Sequence, residues 1–242
     1  MDSDRDDRIE SMRKGFLENP NSSSILRNNQ LFELNAVDVN YGRFKALSNI
    51  SFSISVGEIT FVTGKSGAGK TTLLNLLAGD LRADKGKVKL PSKKIFVSQV
   101  FQDLKLFKHL SVEENLWYAF DKSIYKSKNE FHKDMMELCS VLGIVDKLDL
   151  KIKDANGGLK QYCAILRALL SKPQVLLADE PTASLDKESA LKLFELLNFY
   201  NVKKNLTVIW ASHNRDLVKQ FPGKIVHLES GRLIYSGHAC FI

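Results

Sequence analysis

The chain has 242 residues and a formal net charge of +7, with 44% hydrophobic and 26% charged residues. At roughly 150 residues per domain, that is one large domain or a core with a subdomain, and the composition excludes a wholly disordered chain. Three cysteines, Cys139, Cys163 and Cys240, are too few and too scattered for a disulfide framework or a Cys-rich zinc site. They fit a reduced, cytoplasmic compartment.

No run approaches the ~18 apolar residues of a membrane span. Met1 to Glu10 carries five acidic residues and resembles neither a signal peptide nor a transit peptide. Any membrane role is expected to be peripheral. The lysines are dispersed, and no aromatics interleave with them to form a stacking platform. The basic balance therefore reads as a solvated surface, and no nucleic acid is expected.

Residues 1–30 read as a flexible tail, with a polar breaker cluster at Asn19 to Ser24. Leu31 to Val39 and Ala46 to Ile54 alternate as half-buried strands do. Glu58 to Thr63 reads as a buried strand, and Lys70 to Ala78 has helical spacing. Lys94 to Ser98 is a further short strand. Ser111 to Leu142 is mainly helical, with a polar break near Asp121 to Asn129. Leu159 to Leu170 is a helix stopped by Pro173.

Val175 to Ala178 and Thr207 to Ala211 are continuous apolar runs, as in fully buried strands, and Lys187 to Phe199 between them is helical. Lys224 to Leu228 and Arg232 to Tyr235 flank Ser230-Gly231 as a hairpin. Strands alternating with helices predict a parallel sheet covered on both faces. The opening strands predict an antiparallel layer beside it, and residues 103–170 an inserted helical subdomain.

Gly64-Lys65-Ser66-Gly67-Ala68-Gly69-Lys70-Thr71 fits the phosphate-loop pattern and sits between a predicted strand and a predicted helix. Glycines let backbone N–H groups close around phosphate oxygens. The helix N-terminus adds its dipole. Lys70 supplies a point charge, and the Thr71 hydroxyl is a Mg²⁺ ligand. Some 110 residues on, an apolar strand ends in Asp179, followed by Glu180. Asp179 there suits Mg²⁺ coordination. Glu180 suits polarisation of an attacking water.

Together these motifs resemble the nucleotide-binding subunit of ABC (ATP-binding cassette) systems, over about Leu31 to Gly237. The resemblance implies an α/β fold: a P-loop NTPase (RecA-like) core, an antiparallel β layer and the helical insertion. It implies one ATPase domain over 31–237, with 238–242 a C-terminal end. It makes Tyr41 the aromatic that stacks on adenine. Thr72 completes the phosphate loop. Gln102 becomes the glutamine that reaches Mg²⁺ and the attacking water, and His213 the switch histidine at the γ-phosphate. Ser184-Leu185-Asp186 matches the segment that contacts a second subunit. His109, His132, His227 and His238 read as surface or satisfied histidines.

The sequence departs from the family at its signature loop, Leu-Ser-Gly-Gly-Gln in the consensus. Here Ala155-Asn156-Gly157-Gly158-Leu159 stands, so a glycine-lined helix start remains and the glutamine is lost. Asn156 is a good N-cap. Asn156, Gly157 and Gly158 are assigned to ATP bound by a second subunit, and hydrolysis is expected to be slow or to need an unlike partner. The segment between Lys70 and Gln102 is also short, so an arm or hairpin there is reduced.

Within the family the chain is most similar to the FtsE type, ATPases of cell division. The resemblance rests on Val62 to Lys70, Val100 to Leu106, Ser212 to Val218, Phe221-Pro222 and Leu228 to Leu233. It implies an integral partner like FtsX, a second ATPase subunit, and a place on the cytoplasmic face of the bacterial inner membrane. ATPases of lipoprotein release and macrolide export are near alternatives, and an ATP-driven assembly module with little hydrolysis is a third.

Overall fold

The structure, a computed structural model, describes residues 30–238. The tail expected over 1–30 lies outside them except for residue 30, as do 239–242 at the C-terminal end.

Two antiparallel strands open the fold, β1 (Gln30–Tyr41) and β2 (Phe44–Ser55), joined through Gly42 at φ +60. A third strand, β4 (Lys85–Lys89), pairs antiparallel with β1. It was not expected. Its sequence, Lys-Gly-Lys-Val-Lys, lacks the apolar alternation of a strand, and it lies on the sheet edge, where lysines deter further pairing.

The second sheet runs in the order β5-β6-β7-β3-β8-β9. Its parallel strands are β5 (Val97–Val100), β6 (Val175–Asp179), β7 (Thr207–Ser212), β3 (Ile59–Thr63) and β8 (Lys224–Glu229). The last strand, β9 (Arg232–His238), returns antiparallel on β8, as the Ser230-Gly231 hairpin predicts. The expected strand at Lys94 to Ser98 begins later, at Val97, because Ile95 closes a turn back to Ser92.

β3, β6 and β7 are buried along their whole length, and their alternate residues serve two cores. Phe61, Leu176 and Trp210 face one, which holds the helices α3 (Lys128–Leu142), α4 (Gly157–Leu170) and α5 (Lys187–Lys204). Val62, Leu177 and Ile209 face the other, shared with α1 (Lys70–Ala78) and the antiparallel sheet. Phe194 stacks on Phe221 at 3.8 Å, next to Phe61 and Trp210. Such alternation explains why these runs read as continuously apolar: each strand is covered twice.

Between β5 and β6 lie α2 (Val112–Trp117), α3, a 3₁₀ turn (Val145–Lys147) and α4. Ser111 and Glu114 form a capping box on α2, and Ser127 caps α3. The polar break expected near Asp121 to Asn129 is the link between these two helices. α4 starts at Gly157, two residues before the expected boundary. α5 runs past Phe199 to Lys204 and ends at Asn205 in the left-handed region. The short α6 (Arg215–Val218) follows β7.

Candidate nucleotide site

The strand–loop–helix at β3 and α1 builds the centre of the site. Gly69 has φ +101, and a Cβ there would lie 2.7 Å from the Ala46 carbonyl oxygen and 2.9 Å from Leu47. Only glycine fits. The β8–β9 turn braces the loop from the far side: Gly231 N–H donates to Ala68 O at 3.1 Å, and Ser48 N–H donates to Gly231 O at 2.7 Å. The hairpin read from the sequence is thus a strut under the phosphate loop, a role that its residues alone did not signal. α1 has no side-chain cap. Its first N–H groups are free to meet an anion.

Lys70 curls back over the loop. Its Nζ donates to Gly64 O at 2.9 Å and Lys65 O at 3.3 Å, and stands 3.3 Å from Glu180 Oε1. At 8% side-chain exposure, this is a nearly dry cation held for a ligand that brings negative charge. The Thr71 hydroxyl donates to Asp179 Oδ2 at 2.6 Å. Asp179 Oδ1 is buried with no hydrogen-bond partner. A buried, unpartnered carboxylate oxygen beside a hydroxyl is a donor set that fits Mg²⁺. Burial pushes the Asp179 carboxyl above the ordinary range, and the Glu180 charge adds to this. The Thr71 hydrogen bond and the Lys70 charge oppose it.

Glu180 follows the end of β6 with φ +51, a conformation that costs a non-glycine residue of order 1–3 kcal/mol. The turn brings both carboxylate oxygens into use. Oε1 faces Lys70, while Oε2 accepts from the His213 backbone N–H at 3.2 Å and lies 2.9 Å from His213 Nδ1. His213 stands just beyond β7 with its side chain 61% exposed, at the rim. The Glu180 backbone N–H donates to Ala211 O, which fixes the turn to the neighbouring strand.

These groups surround a cavity of about 590 Å³. Lys65, Ser66, Gly67, Thr72, Gln102 and His213 also line it. Gly64 and Ala68 support it from beneath: a Cβ on Gly64 would collide with Leu228 O and approach Ala68.

Tyr41 and the residues assigned to a second subunit's ATP lie apart from this lining. The aromatic that reaches the cavity is Phe44, across the same hairpin turn, with Ala46 beside it. The cause is that β2, not β1, runs along the loop at Gly69. Phe44 is 64% exposed, and its place on the cavity wall is set by tertiary packing that a sequence does not display. Asn156, Gly157 and Gly158 also lie outside the cavity. Asn156 caps α4, its Oδ1 accepting from Leu159 N–H at 2.8 Å. Gly157 packs on Ser184, where a Cβ would meet Ser184 Cβ at 2.8 Å.

A contact that the sequence pattern does not indicate ties the site to α4. Gln161 is buried, and its amide donates to Glu180 O at 3.5 Å, tying α4 to the end of β6. A lone amide on the apolar face of α4 was the available clue. His227 is satisfied, with Nδ1 at 2.9 Å from Thr63 Oγ1 and Nε2 at 3.1 Å from Glu229 Oε1. Among the described residues no helix is long and apolar enough to cross a membrane.

The sequence pattern of the ABC transporter family matches residues 47–183, more than half of the chain. The cell division ATP-binding protein FtsE of Streptococcus pneumoniae serotype 2 is 32% identical over 202 residues, covering 78% of this chain and 87% of that protein. The lipoprotein-releasing system ATP-binding protein LolD of Ehrlichia ruminantium is 34% identical over 223 residues, covering 84% and 96%. The methionine import ATP-binding protein MetN of Clostridioides difficile is 32% identical over 220 residues, covering 86% of this chain but 68% of its own length. Of the MetN of Lactobacillus johnsonii the chain spans 64%. Among solved structures, a dimeric post-hydrolysis state of the ATP-binding cassette MJ0796 bound to ADP and Pi aligns with a TM-score of 0.74 at 25% identity, over 87% of this chain and 100% of that one. The family match, the relatives and the built phosphate loop agree, and the chain belongs to the ABC transporter family as an ATP-hydrolysing cassette that binds ATP with Mg²⁺.

Proposed function

We propose that this chain is the ATPase subunit of an FtsE–FtsX-type complex at the cytoplasmic face of a bacterial inner membrane. There it couples ATP-driven closure of two subunits, through an integral partner, to activation of cell-wall hydrolases outside that membrane. One observation carries the catalytic reading: Lys70, Glu180 and His213 form a single contact chain on the cavity wall, beside the Thr71–Asp179 pair. The cell-division reading is supported by the resemblance of Ser212 to Val218 and Leu228 to Leu233, and by the likeness to the pneumococcal FtsE.

The roles follow from position. Lys70 and the loop amides hold the β- and γ-phosphates. Asp179, Thr71 and Gln102, on or beside the cavity wall, would hold Mg²⁺, and Gln102 is also placed to contact the attacking water. Bound Mg²⁺ supplies positive charge to the phosphate oxygens. Glu180 accepts the proton of the attacking water, with His213 orienting its Oε2. Phe44 takes the stacking role first given to Tyr41. Asn156, Gly157 and Gly158 serve the nucleotide of a second subunit, which their absence from the lining of this chain's own cavity supports.

A second cavity of about 320 Å³, lined by Phe101, Leu104, Tyr118, Ala164 and Arg167, takes a cytoplasmic helix of the partner. Exposed Tyr118, whose ring lies 4.4 Å from that of Phe107, suits it for an apolar anchor. The contact of the ATPase with the membrane runs through that partner.

A specific observation favours a second reading: the chain covers 96% of LolD at 34% identity, which suits lipoprotein release. Copurification from solubilised membranes decides between them. Capture of an FtsX-like protein that raises ATPase activity supports the first reading, and capture of a lipoprotein-release permease overturns it.

A further inference from the structure

Immediately after Gln102 the chain contains two consecutive non-glycine residues in the left-handed region, Leu104 at φ +57 and Lys105 at φ +47. Single residues of this kind occur in turns; a bulky pair is uncommon and needs external support. Local contacts contribute little. Leu104 N–H donates to Phe101 O and Lys105 N–H to Asp103 O. The Lys105–Asp103 ion pair is more than half exposed and therefore weak. The support that reaches into the fold comes from α4. Nη2 of Arg167 donates to Leu104 O at 3.2 Å and to Lys105 O at 2.8 Å. One guanidinium nitrogen thus accounts for both carbonyls of the strained pair.

Arg167 lies ten residues beyond the start of α4 at Gly157, and its importance comes from what else that helix touches. The helix is 14 residues long, about 21 Å. Its start packs on Ser184, and Gln161 holds the carbonyl of Glu180. A single rigid element therefore contacts the segment after Gln102, the turn of Glu180 and the segment expected to meet a second subunit.

The geometry points to Arg167 as a positioning residue for the ATPase reaction: its bonds to Leu104 O and Lys105 O hold the strained pair, and so keep Gln102 on the wall of the nucleotide cavity. This rests on the proposed role of Gln102 only for its effect on turnover. Released from Arg167, the pair relaxes toward negative φ, which a lysine prefers and a glycine does not. Gln102, two residues from Leu104, then loses its fixed place, while the phosphate loop, braced by Gly231, stays intact.

The test combines Arg167→Met, which keeps the stem without the donors, with Lys105→Gly, which removes the local preference for negative φ. In the nucleotide-free protein, amide hydrogen exchange over residues 103–107 rises roughly tenfold in Arg167→Met. Adding Lys105→Gly brings most of that back. In turnover, Arg167→Met lowers kcat by roughly fivefold with KM held within about twofold, and Lys105→Gly partly restores kcat. Lys105→Gly alone leaves both near the parent values. Arg167→Lys, which retains a donor on a shorter reach, falls between.

Unchanged exchange in Arg167→Met overturns the clamp. So does a lowered kcat with a raised KM, a lowered melting temperature and no rescue by Lys105→Gly, the signature of a merely structural arginine. The Gln102→Ala control separates the two readings: unchanged turnover there counts against the role given to Gln102, while the exchange comparison still decides the clamp.

Discussion

Two glycine-rich segments each open a helix, and they are built in opposite ways. At α1 the first N–H groups have no side-chain cap, and the surrounding loop is braced by Gly231 in the β8–β9 turn and packs closely on Ala46 of β2. At α4 the side chain of Asn156 already occupies one of those amides, and the glycines press against Ser184 instead of a cavity. The first start is kept open for an anion by its own chain. The second is satisfied at home and presents its remaining surface outward. Under the proposed function, the free helix amides belong to the half of the site that this chain completes alone, and the capped, outward helix start to the half offered to a second subunit.

The largest expected effect tests the first half. In Lys70→Ala the buried cation is lost, and with it a charged contact to phosphate worth ~1.5–3 kcal/mol per hydrogen bond. ATP affinity falls by about 100-fold or more, measured by titration calorimetry. Unchanged affinity would refute the assignment of the cavity.

Glu180→Gln keeps the shape and one acceptor oxygen but removes the base, and also the anion opposite Lys70. Turnover drops by roughly 10²–10⁴-fold, and ATP is still bound. With Mg²⁺ and ATP the variant elutes larger on size exclusion, as a closed pair. Hydrolysis at the parent rate would sink the role of Glu180.

The second half is tested by Gly157→Ala. The new methyl would stand 2.8 Å from Ser184 Cβ, so the start of α4 and the Ser184 segment must separate. Turnover falls by about tenfold or more through misplacement of the opposing surface, while nucleotide affinity of the isolated subunit is kept. Equal loss of both would erase the distinction between the two helix starts.

The phosphate loop, β6 and the placement of His213 just beyond β7 are legible because each is local: a strand, a turn and a polar residue within a few positions. Contacts between distant segments were not. That Phe44 and not Tyr41 lines the cavity depends on which strand of the hairpin lies along the loop. The pairing of Arg167 with Leu104 and Lys105 spans more than 60 residues. β4 was hidden because an edge strand of lysines has little apolar pattern to read, and only its partner β1 defines it.

Leu159 gives the smallest and most specific test. It stands where the family carries glutamine, and it is 5% exposed within the core that holds α3, α4 and α5. Its backbone N–H is already taken by Asn156, so the side chain is free to serve packing alone. Leu159→Gln must therefore bury an amide or expose a gap, at a cost of ~1–3 kcal/mol. For a chain of this size that lowers Tm by about 2–4 °C for each kcal/mol. Asn156→Ser retains a capping oxygen and leaves Tm nearly unchanged. Differential scanning calorimetry of the two variants separates them, and a Leu159→Gln protein melting with the parent would show that this position faces outward after all. In that case the glutamine would be available to the second subunit, and turnover would rise by roughly 3- to 12-fold, the value of half of one charged hydrogen bond. A lowered Tm with flat turnover would instead show that this chain has traded the outward contact for a leucine in its own core.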